Sequence, residues 1–279
     1  MKSYVFDRPV GFDLDQIFDC GQAFRFTNSG DNSYSGIAHG RAIDILQESD
    51  KITIFGSDEK DFNDIWKNYL ALDVDYSALR RRISSLRPDD VTLKAAMEYG
   101  KGIRLLRQDK WETLCSFIIS QNNNIPRIRS LVEALSREYG DRIETYALGE
   151  YYSFPSADAV AKAGVEELRR LKVGFRAPYI HDAAAKVSSG EIDLDGLDSL
   201  PTEELLKQLM TIKGVGLKVA SCVTLFAYGR LDSFPIDVWV KRVLEKYYPE
   251  GFDHAALGDT AGLVQQYLFY YERYKSDTI

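Results

Sequence analysis

The chain has 279 residues, 45% of them hydrophobic, so it can bury a sizeable core in one large domain or two smaller ones. Its three cysteines, Cys20, Cys115 and Cys222, lie far apart in the sequence, which excludes a disulfide framework and a four-cysteine iron–sulfur cluster within one chain. The formal net charge is −7, which by itself argues mildly against a nucleic-acid partner.

The sequence has no segment that predicts a membrane location. No apolar run approaches the roughly 18 residues that a membrane-spanning helix needs. Residues 1–13, MKSYVFDRPVGFD, lack the apolar centre of a signal peptide. We therefore expect an intracellular protein without a membrane partner, located in the cytoplasm or nucleoid if its source is a prokaryote.

Residues 23–55 have the pattern of short β-strands. The segments AFRF, SYSGIA, AIDILQ and KITIFG are apolar, aromatic or alternating in character. The turn-rich pieces TNSGDN, HGR and ESD separate them. Connections as short as these favour an antiparallel meander, because parallel strands need a longer crossover.

From about residue 60 the hydrophobic period becomes that of a helix. In the segment DFNDIWKNYLAL one helical stripe contains Phe62, Ile65, Trp66, Tyr69 and Leu70. Most of the remaining sequence is also helical in pattern. We predict an α+β protein, in which a small N-terminal antiparallel sheet with flanking helices (1–100) packs on a larger helical body (101–279).

The charge is unevenly distributed along the chain. Between residues 101 and 130, only Asp109 and Glu112 accompany a set of basic side chains, Lys101, Arg104, Arg107, Lys110, Arg127 and Arg129. This excess is compatible with a local DNA-binding surface on an acidic protein. A solvated helical face would explain the same charges.

Residues 202–229 have the pattern of a helix, a tight turn and a second helix. We expect Thr202 to cap the first helix, and Gly214 and Gly216 to give the turn positive φ angles and a close backbone approach. The second helix would then begin with exposed N–H groups and a positive dipole end, which suit a phosphate of the DNA backbone. An ordinary turn between two helices is the alternative explanation.

Two consecutive helix starts carry residues suited to chemistry. Lys218 lies in the first turn of the second hairpin helix, where the helix dipole favours the neutral, nucleophilic amine. Nineteen residues later Asp237 follows Pro235 and is expected to cap the next helix. The pair predicts an amine nucleophile with a carboxylate that stabilises developing positive charge. A snorkelling surface lysine and a plain N-cap would explain each residue alone.

These two helix starts resemble those of a known family. GVGLKVASC followed by PIDVWV is similar to the Gly-Val-Gly hairpin and downstream aspartate of the helix-hairpin-helix DNA glycosylases, and Lys218 is typical of their bifunctional members. Further segments resemble the 8-oxoguanine DNA glycosylases in particular, namely DCGQAFRF, FIISQNNNIPRI, VGFRAPYI and QQYLF. The resemblance extends from residue 12 to about residue 270.

The resemblance implies a reaction and a catalytic pair. Lys218 would attack C1′ of the damaged nucleotide and form a Schiff base, which permits strand cleavage by β-elimination 3′ to the abasic site. Asp237 would stabilise the oxocarbenium-like sugar. A base inside a duplex cannot be reached, so it would be flipped into a pocket.

The resemblance also implies how that pocket holds the base. Gly21 would offer its carbonyl to the N7 proton that separates 8-oxoguanine from guanine. Phe269 and Cys222 would sandwich the base, and Gln265 would hydrogen-bond its Watson–Crick edge. Without the family, Cys222 and Phe269 would pass for ordinary core residues.

Contacts to the rest of the duplex are implied as well. Asn122 would fill the space that the base leaves, or else Asn122–Asn124 are simply a helix-breaking loop. Arg127 and Arg176 would hold the orphaned cytosine, with Phe175 as a wedge beside it. The expected partner is thus double-stranded DNA with 8-oxoguanine, preferentially opposite cytosine, and the protein is expected to act as a monomer.

The hairpin is expected to bind a DNA phosphate. Its turn carbonyls, those of Met210, Ile212 and Val215, would coordinate a monovalent cation, Na⁺ or K⁺, that bridges to the phosphate, while the reaction itself would require no cofactor. Lys213 replaces the usual proline and would add a phosphate contact beside Gly214 and Gly216. Trp239 stands where some members carry a histidine, which leaves a phosphate contact there open.

Two other functions are kept as alternatives. One is a glycosylase for another damaged purine, such as an alkylated base, although such relatives act without a lysine nucleophile. The other is a non-catalytic helix-hairpin-helix module that only holds DNA, in which Lys218 and Asp237 would be a coincidence.

Overall fold

A five-stranded antiparallel sheet forms the N-terminal part of the computed structural model, which describes residues 2–143 and 150–275. Its strands lie in the spatial order β1-β5-β4-β3-β2 and comprise β1 Ser3–Asp7, β2 Phe26–Gly30, β3 Ser33–Ala38, β4 Arg41–Gln47 and β5 Lys51–Phe55. The predicted meander is confirmed for β3 to β5, whereas β2, which pairs with β3, lies mostly in the segment TNSGDN that was predicted as a turn. The connections Asp31–Asn32 and His39–Gly40 have positive φ at both positions, as a type I′ turn requires.

The predicted strand AFRF is wrong, and β1 was not predicted. Ala23, Phe24, Arg25 and Phe26 are all buried, so the segment does not alternate between two faces as a strand does. It lies between two hydrophobic cores, with Phe24 in the core of the helical body and Ala23 and Phe26 in that of the sheet. The pattern of β1 was weak because none of its residues is fully buried.

Helices make up most of the rest of the chain. They are α1 Leu14–Phe18, α2 Glu59–Asp61, α3 Lys67–Tyr69, α4 Tyr76–Leu86, α5 Val91–Tyr99, α6 Lys110–Ile119, α7 Ile125–Tyr139, α8 Ala157–Arg170, α9 Ala177–Ser188, α10 Thr202–Leu209, α11 Leu217–Phe226, α12 Val238–Tyr247 and α13 Ala261–Lys275. Shorter 3-10 turns occupy Gly174–Arg176, Gly196–Ser199 and Ala255–Thr260, and two-residue strands β6 Arg142–Ile143 and β7 Tyr151–Tyr152 pair antiparallel. The protein is therefore an α+β structure with a sheet attached to a helical body.

The helical stripe predicted after residue 60 is present, with one local difference. A π-helical turn, Phe62–Trp66, joins α2 to α3. Phe62, Trp66, Tyr69 and Leu70 are buried against the sheet. The wider turn still places these apolar side chains on one side, so the helix covers one face of the sheet.

The buried side chains form two clusters. The smaller lies between the sheet, α1 and the α2–α3 segment, and includes Ile17, Tyr34, Ile45 and Trp66. The larger fills the helical body, where α11 packs on α6 and α13 packs on α5 and α12. The division of the chain at residue 100 stays a prediction. Within the described residues, no helix has the length and apolar character needed to cross a membrane.

Candidate active site and DNA-binding surface

A cavity of about 790 Å³ opens between the α6–α7 loop, the N-termini of α11 and α12, and α13. We call it the α11–α13 cavity. Nine residues that the sequence analysis selected line it, although they come from five separate parts of the chain. They are Gly21, Asn122, Gly216, Lys218, Cys222, Asp237, Trp239, Gln265 and Phe269.

Lys218 lies in the first turn of α11, as predicted from the hairpin pattern. The helix begins after Gly216, which supplies no capping side chain. The Lys218 Nζ donates to Ser120 Oγ at 3.4 Å and stands 5.4 Å from the centre of the Phe117 ring. Among the described residues no carboxylate lies within 4.0 Å of this amine, so it is not held in an ion pair.

Asp237 is the N-cap of α12, as predicted. Its Oδ1 accepts hydrogen bonds from the backbone N–H groups of Trp239 at 3.0 Å and Val240 at 2.9 Å. These bonds satisfy orphan donors of the helix start and fix the carboxylate at the cavity wall. The second oxygen, Oδ2, makes no hydrogen bond with the described residues and is free to face a ligand.

An aromatic ring, a thiol and a glycine form the inner walls of the cavity. Phe269 and Cys222 are almost completely buried. Burial raises the pKa of the Cys222 thiol to about 11, so its sulfur is neutral and can pack against an apolar face. Gly21 has φ +80°, and a Cβ there would lie 3.2 Å from the Phe269 ring and 3.3 Å from Ile125. Only glycine therefore fits this position without strain.

Gln265 presents a buried acceptor without a donor. Gln265 is only 4% exposed, yet its Oε1 has no hydrogen-bond partner among the described residues. Gln265 and Phe269 are one helical turn apart on α13 and both face the cavity. An unpaired buried oxygen is costly, so this acceptor is available to a ligand that brings a donor.

Sequence analysis did not identify several other residues of the cavity. Ser120 is near Lys218, while Lys241, Gln266 and Arg273 add to the lining. Arg273 follows Phe269 by four residues, so the helical period of α13 contained the information needed to find it. Its guanidinium lies 5.8 Å from the Trp239 ring and 5.9 Å from that of Phe269. Three cations thus line the cavity, Lys218, Lys241 and Arg273, against the single carboxylate of Asp237.

Of the residues predicted to contact the rest of the duplex, Asn122 lines the cavity, whereas Arg127, Phe175 and Arg176 are not part of its lining. Asn122 is exposed with φ +48°, and Arg127 is exposed at the start of α7, where it donates to the Lys172 carbonyl at 3.4 Å. Phe175 is 52% exposed, and its ring stacks 4.5 Å from the Arg176 guanidinium. Its exposure is compatible with a wedge.

Arg176 differs from the others because its N–H groups are mostly in use. It is 4% exposed and donates to the carbonyls of Gln121, Asn122 and Val173. Burial lowers the pKa of its guanidinium, and the nearby charge of Arg127 lowers it further. In this conformation Arg176 holds the loop that carries Asn122.

The hairpin is formed by α10, the turn and α11, with three departures from prediction. Thr202 is the first residue of α10 and not its cap, because the extended residue before the helix is Pro201. Gly214 has φ +77° as expected, but Gly216 has φ −93°. The close approach is made to a side chain, since a Cβ on Gly214 would overlap the Tyr179 ring, while one on Gly216 would meet nothing.

The hairpin turn presents backbone oxygen atoms and one exposed lysine. Within the described residues, the carbonyls of Met210 and Val215 accept no hydrogen bond, and that of Ile212 accepts one from Val215 N–H at 3.0 Å. Oxygen donors of this kind suit a hard cation. The Lys213 side chain is exposed, and its backbone N–H donates to Asp182. No group of three His, Cys, Asp or Glu side chains in the described part of the chain is arranged to hold a metal ion.

A second cavity, of about 870 Å³, lies between the N-terminus of α6 and the segment after α9. We call it the α6–α9 cavity. Its charges pair with carboxylates: Lys110 donates to Asp195 at 2.8 Å and to Asp198 at 2.5 Å. Arg107 forms two bonds with Asp73, at 2.9 and 3.0 Å.

Comparisons with known families match adjacent parts of the chain. Residues 5–114 match the N-terminal domain of 8-oxoguanine DNA glycosylase. Residues 115–254 match the HhH-GPD superfamily of base excision DNA repair proteins. The chain is also 37% identical over 159 residues to the N-glycosylase/DNA lyase of Saccharomyces cerevisiae. The match covers 53% of this chain and 42% of the yeast protein, so the chain spans less than half of that relative's length.

Two solved structures have similar folds over nearly the whole chain. The structure of MBOgg1 in complex with a low-affinity DNA ligand is 42% identical, with a TM-score of 0.91 over 99% of this chain and 100% of that one. The Clostridium acetobutylicum 8-oxoguanine glycosylase/lyase, bound to duplex DNA with cytosine opposite 8-oxoG, is 32% identical. Its TM-score is 0.89 over 99% of both chains.

Proposed function

Because this chain belongs to the HhH-GPD superfamily of base excision DNA repair proteins, and within it to the 8-oxoguanine DNA glycosylases, we propose that it is a bifunctional DNA glycosylase and lyase. Its substrate is 8-oxoguanine in duplex DNA, flipped into the α11–α13 cavity. The complex of the Clostridium acetobutylicum relative with such a duplex supports this assignment.

The unpaired Gln265 oxygen is the observation that carries the proposal. A purine placed between Phe269 and Cys222 would present its Watson–Crick edge to Gln265, and guanine derivatives offer N–H donors on that edge. Gly21 would accept the N7 proton of 8-oxoguanine through its carbonyl. Guanine lacks that proton, so a single hydrogen bond would contribute directly to selection of the damaged base.

Lys218 is the proposed nucleophile. Its nitrogen attacks C1′ as the C1′–N9 bond breaks, and the electron pair leaves with the base, which takes up a proton. Opening of the sugar gives a Schiff base between Lys218 and C1′. Loss of a C2′ proton then expels the 3′ phosphate and cuts the strand. The absence of an ion pair to Lys218 among the described residues leaves the amine available for the first step.

Asp237 supports the same step through its charge. The N-cap bonds to Oδ1 fix its position, so Oδ2 can face the sugar without reorganisation. A preorganised carboxylate stabilises the positive charge that develops on the sugar as the base leaves. We assign no proton transfer to Asp237.

Asn122 in the cavity lining and three residues outside it hold the duplex. Arg127 and Arg176 donate to the acceptors of the orphaned cytosine, Phe175 wedges beside it, and Asn122 fills the vacated space. Arg176 would exchange at least one carbonyl partner to do so, because most of its N–H groups are engaged. Preference for cytosine follows, since adenine has no comparable pair of acceptors.

The hairpin binds a phosphate without reading sequence. Its contacts are the exposed first N–H groups of α11, the Lys213 side chain, and the backbone at Gly214 and Gly216. The carbonyls of Met210, Ile212 and Val215 would hold Na⁺ or K⁺, whose charge would neutralise part of the phosphate. Trp239, close to Arg242 and Arg273, would face the same strand.

The deciding experiment uses a duplex with one 8-oxoguanine opposite cytosine. We expect strand cleavage without heat or alkali, and a covalent adduct when borohydride is added. Lys218→Gln should abolish both, because an amide cannot form a Schiff base, and should retain lesion binding. Lys241→Gln is the matched control, since Lys241 lines the same cavity but lies on α12.

Each other outcome identifies a different function. Base release without cleavage would indicate a glycosylase that lacks the lyase step. Binding without base release would indicate a DNA-binding module. A borohydride adduct with Lys218→Gln at the parent rate would assign the nucleophile to another amine.

A further inference from the structure

The segment that carries Gly21 is held in place by side chains from three directions. Gln22 donates to the carbonyls of Ile17 at 2.9 Å and Arg104 at 2.8 Å. Arg129 donates to Asp19 Oδ1 at 2.6 Å, and the Tyr274 hydroxyl donates to the Asp19 carbonyl. This segment is therefore anchored on both sides of Gly21 by groups that do not touch the cavity interior.

A fourth anchor, Gln266, holds the residue before Gly21 and, unlike the other three, lines the α11–α13 cavity. Gln266 Nε2 donates to the carbonyl of Cys20 at 2.6 Å, although 246 positions separate the two residues. Gln266 is 2% exposed and Cys20 is completely buried. No water can easily replace this bond, so the loss of the donor would leave a buried carbonyl unsatisfied and drive the peptide to rotate.

The Gly21 carbonyl belongs to the next peptide, Gly21–Gln22, and its direction depends in part on where the Cys20–Gly21 peptide is held. The Cys20 carbonyl carbon is bonded to the Gly21 nitrogen, and Gly21 itself has φ +80°, a conformation that glycine adopts without steric cost. Glycine thus offers no stiffness of its own, and the direction of its carbonyl depends on the anchored peptides on either side. A hydrogen bond weakens steeply when its angle changes, so a small rotation would remove it.

We propose that Gln266 is a positioning residue for damage recognition: it aims the Gly21 carbonyl at N7 of the flipped base by holding the Cys20 carbonyl. The inference rests on the proposed function, because it assumes that the base enters this cavity. Two neighbouring residues of helix α13 would then contribute to selection of the damaged base. Gln265 faces the base edge, and its neighbour Gln266 sets the acceptor on the opposite side.

The test compares two affinities in one protein. In a Lys218→Gln background, which cannot turn over, dissociation constants are measured for an 8-oxoguanine–cytosine duplex and for the same duplex with guanine. We expect Gln266→Met, similar in length but without a donor, to weaken binding of the damaged duplex roughly tenfold, about 1.4 kcal/mol. The dissociation constant for the guanine duplex should stay within about twofold of its value in the Lys218→Gln background, because guanine has no N7 proton to donate to the Gly21 carbonyl.

Two further variants make the result specific. Gln266→Asn keeps the amide but is one methylene too short to reach Cys20, so it should behave like Gln266→Met. Ser136→Ala removes another buried hydrogen bond, from Ser136 Oγ to the Val132 carbonyl at 2.9 Å, away from the cavity. It should lower stability without changing the ratio of the two affinities.

The outcomes separate this proposal from the proposed function. If the parent background does not prefer 8-oxoguanine to guanine, the proposed function itself is wrong. If the parent has the preference and both Gln266 variants keep it, or weaken both duplexes equally, Gln266 is only structural and the inference is overturned. Thermal unfolding of each variant shows that the affinities belong to folded protein.

Discussion

The two large cavities of this protein have similar volumes, about 790 and 870 Å³, but opposite polar chemistry. In the α6–α9 cavity, Lys110 binds two aspartates and Arg107 binds a third. In the α11–α13 cavity, Lys218 has no carboxylate partner among the described residues, and Gln265 Oε1 has no donor. The difference shows that neither the volume of a cavity nor the presence of charged residues in its lining identifies a ligand-binding site. Groups left unpaired by the fold are the better indication of a ligand.

The largest expected difference between the two cavities is obtained by removing one charge from each of them. Asp237→Asn keeps an oxygen for the cap of α12 but loses the charge that faces the sugar. We expect base release in a single turnover to slow roughly 10²–10³-fold, as for other preorganised electrostatic groups. On a duplex with an abasic site, Lys218 should still be trapped by borohydride.

The matched control is Lys110→Gln, which removes a charge from the α6–α9 cavity. Its aspartate partners are largely exposed, so the loss should cost less than about 1 kcal/mol of stability and leave base release unchanged. Equal rates for Asp237→Asn and the parent would contradict the assignment of the carboxylate. If Lys110→Gln also slowed base release, the claim that only the α11–α13 cavity takes part in the reaction would be contradicted.

A second prediction concerns Glu112, a carboxyl group in the first turn of α6, the helix whose N-terminus lines the α6–α9 cavity. Burial raises the pKa of Glu112 to about 7 from 4.5, although Arg25, at 3.8 Å, opposes the shift. The folded protein therefore binds a proton that the unfolded chain has lost, and the free energy of unfolding should fall as pH rises from about 4.5 to 7.

Glu112→Gln should remove this pH dependence. The Glu112 side chain is 19% exposed, so solvent screening reduces the effect. As pH rises from 5 to 8, the free energy of unfolding of the parent should fall on the order of 2 kcal/mol further than that of the variant. Urea unfolding at the two pH values measures it. Parallel stability profiles for the two proteins would show that Glu112 titrates normally. Base release should be the same in both.

The smallest expected effect tests the rim of the α11–α13 cavity. The parent should release 8-oxoguanine faster opposite cytosine than opposite adenine, and Arg127→Ala should narrow that ratio about tenfold, within the 1–3 kcal/mol of a good bidentate contact. Arg129→Ala is the control, because Arg129 pairs with Asp19 and not with the exposed rim. If the parent released 8-oxoguanine at equal rates opposite all four bases, the predicted preference for cytosine would be contradicted.

Much of the α11–α13 cavity was predictable because its residues occupy helix starts and one helical face. Lys218 and Asp237 begin α11 and α12, and Gln265 and Phe269 are one turn apart on α13. Spacing along the chain fixes such geometry locally. The roles of Gly21, Gln265 and Phe269 came from resemblance alone, and nothing in the segment of Gly21 shows that it meets α13.

The errors arose where tertiary contacts override local pattern. The segment AFRF was taken for a strand because apolar residues are common to strands and to buried loops. Here its residues are divided between two cores. The role of Arg176 at the cytosine stays a prediction, and its bonds to the carbonyls of Gln121 and Asn122 could not be predicted because that loop lies more than 50 residues earlier. Gln266 was missed because its partner lies at the other end of the chain.

The bond between Cys20 and Gln266 also has a consequence for protein synthesis. The ribosome adds roughly 5–20 residues per second, so the 246 positions between them correspond to roughly 10–50 s of translation. During the last part of that interval the nascent chain already contains Lys218, but it lacks Gln265 and Phe269. A chain released before Gln265 would carry Gly21 and the reactive amine without Gln265, Gln266 and Phe269. The two sides of the proposed base pocket are therefore synthesised at opposite ends of translation.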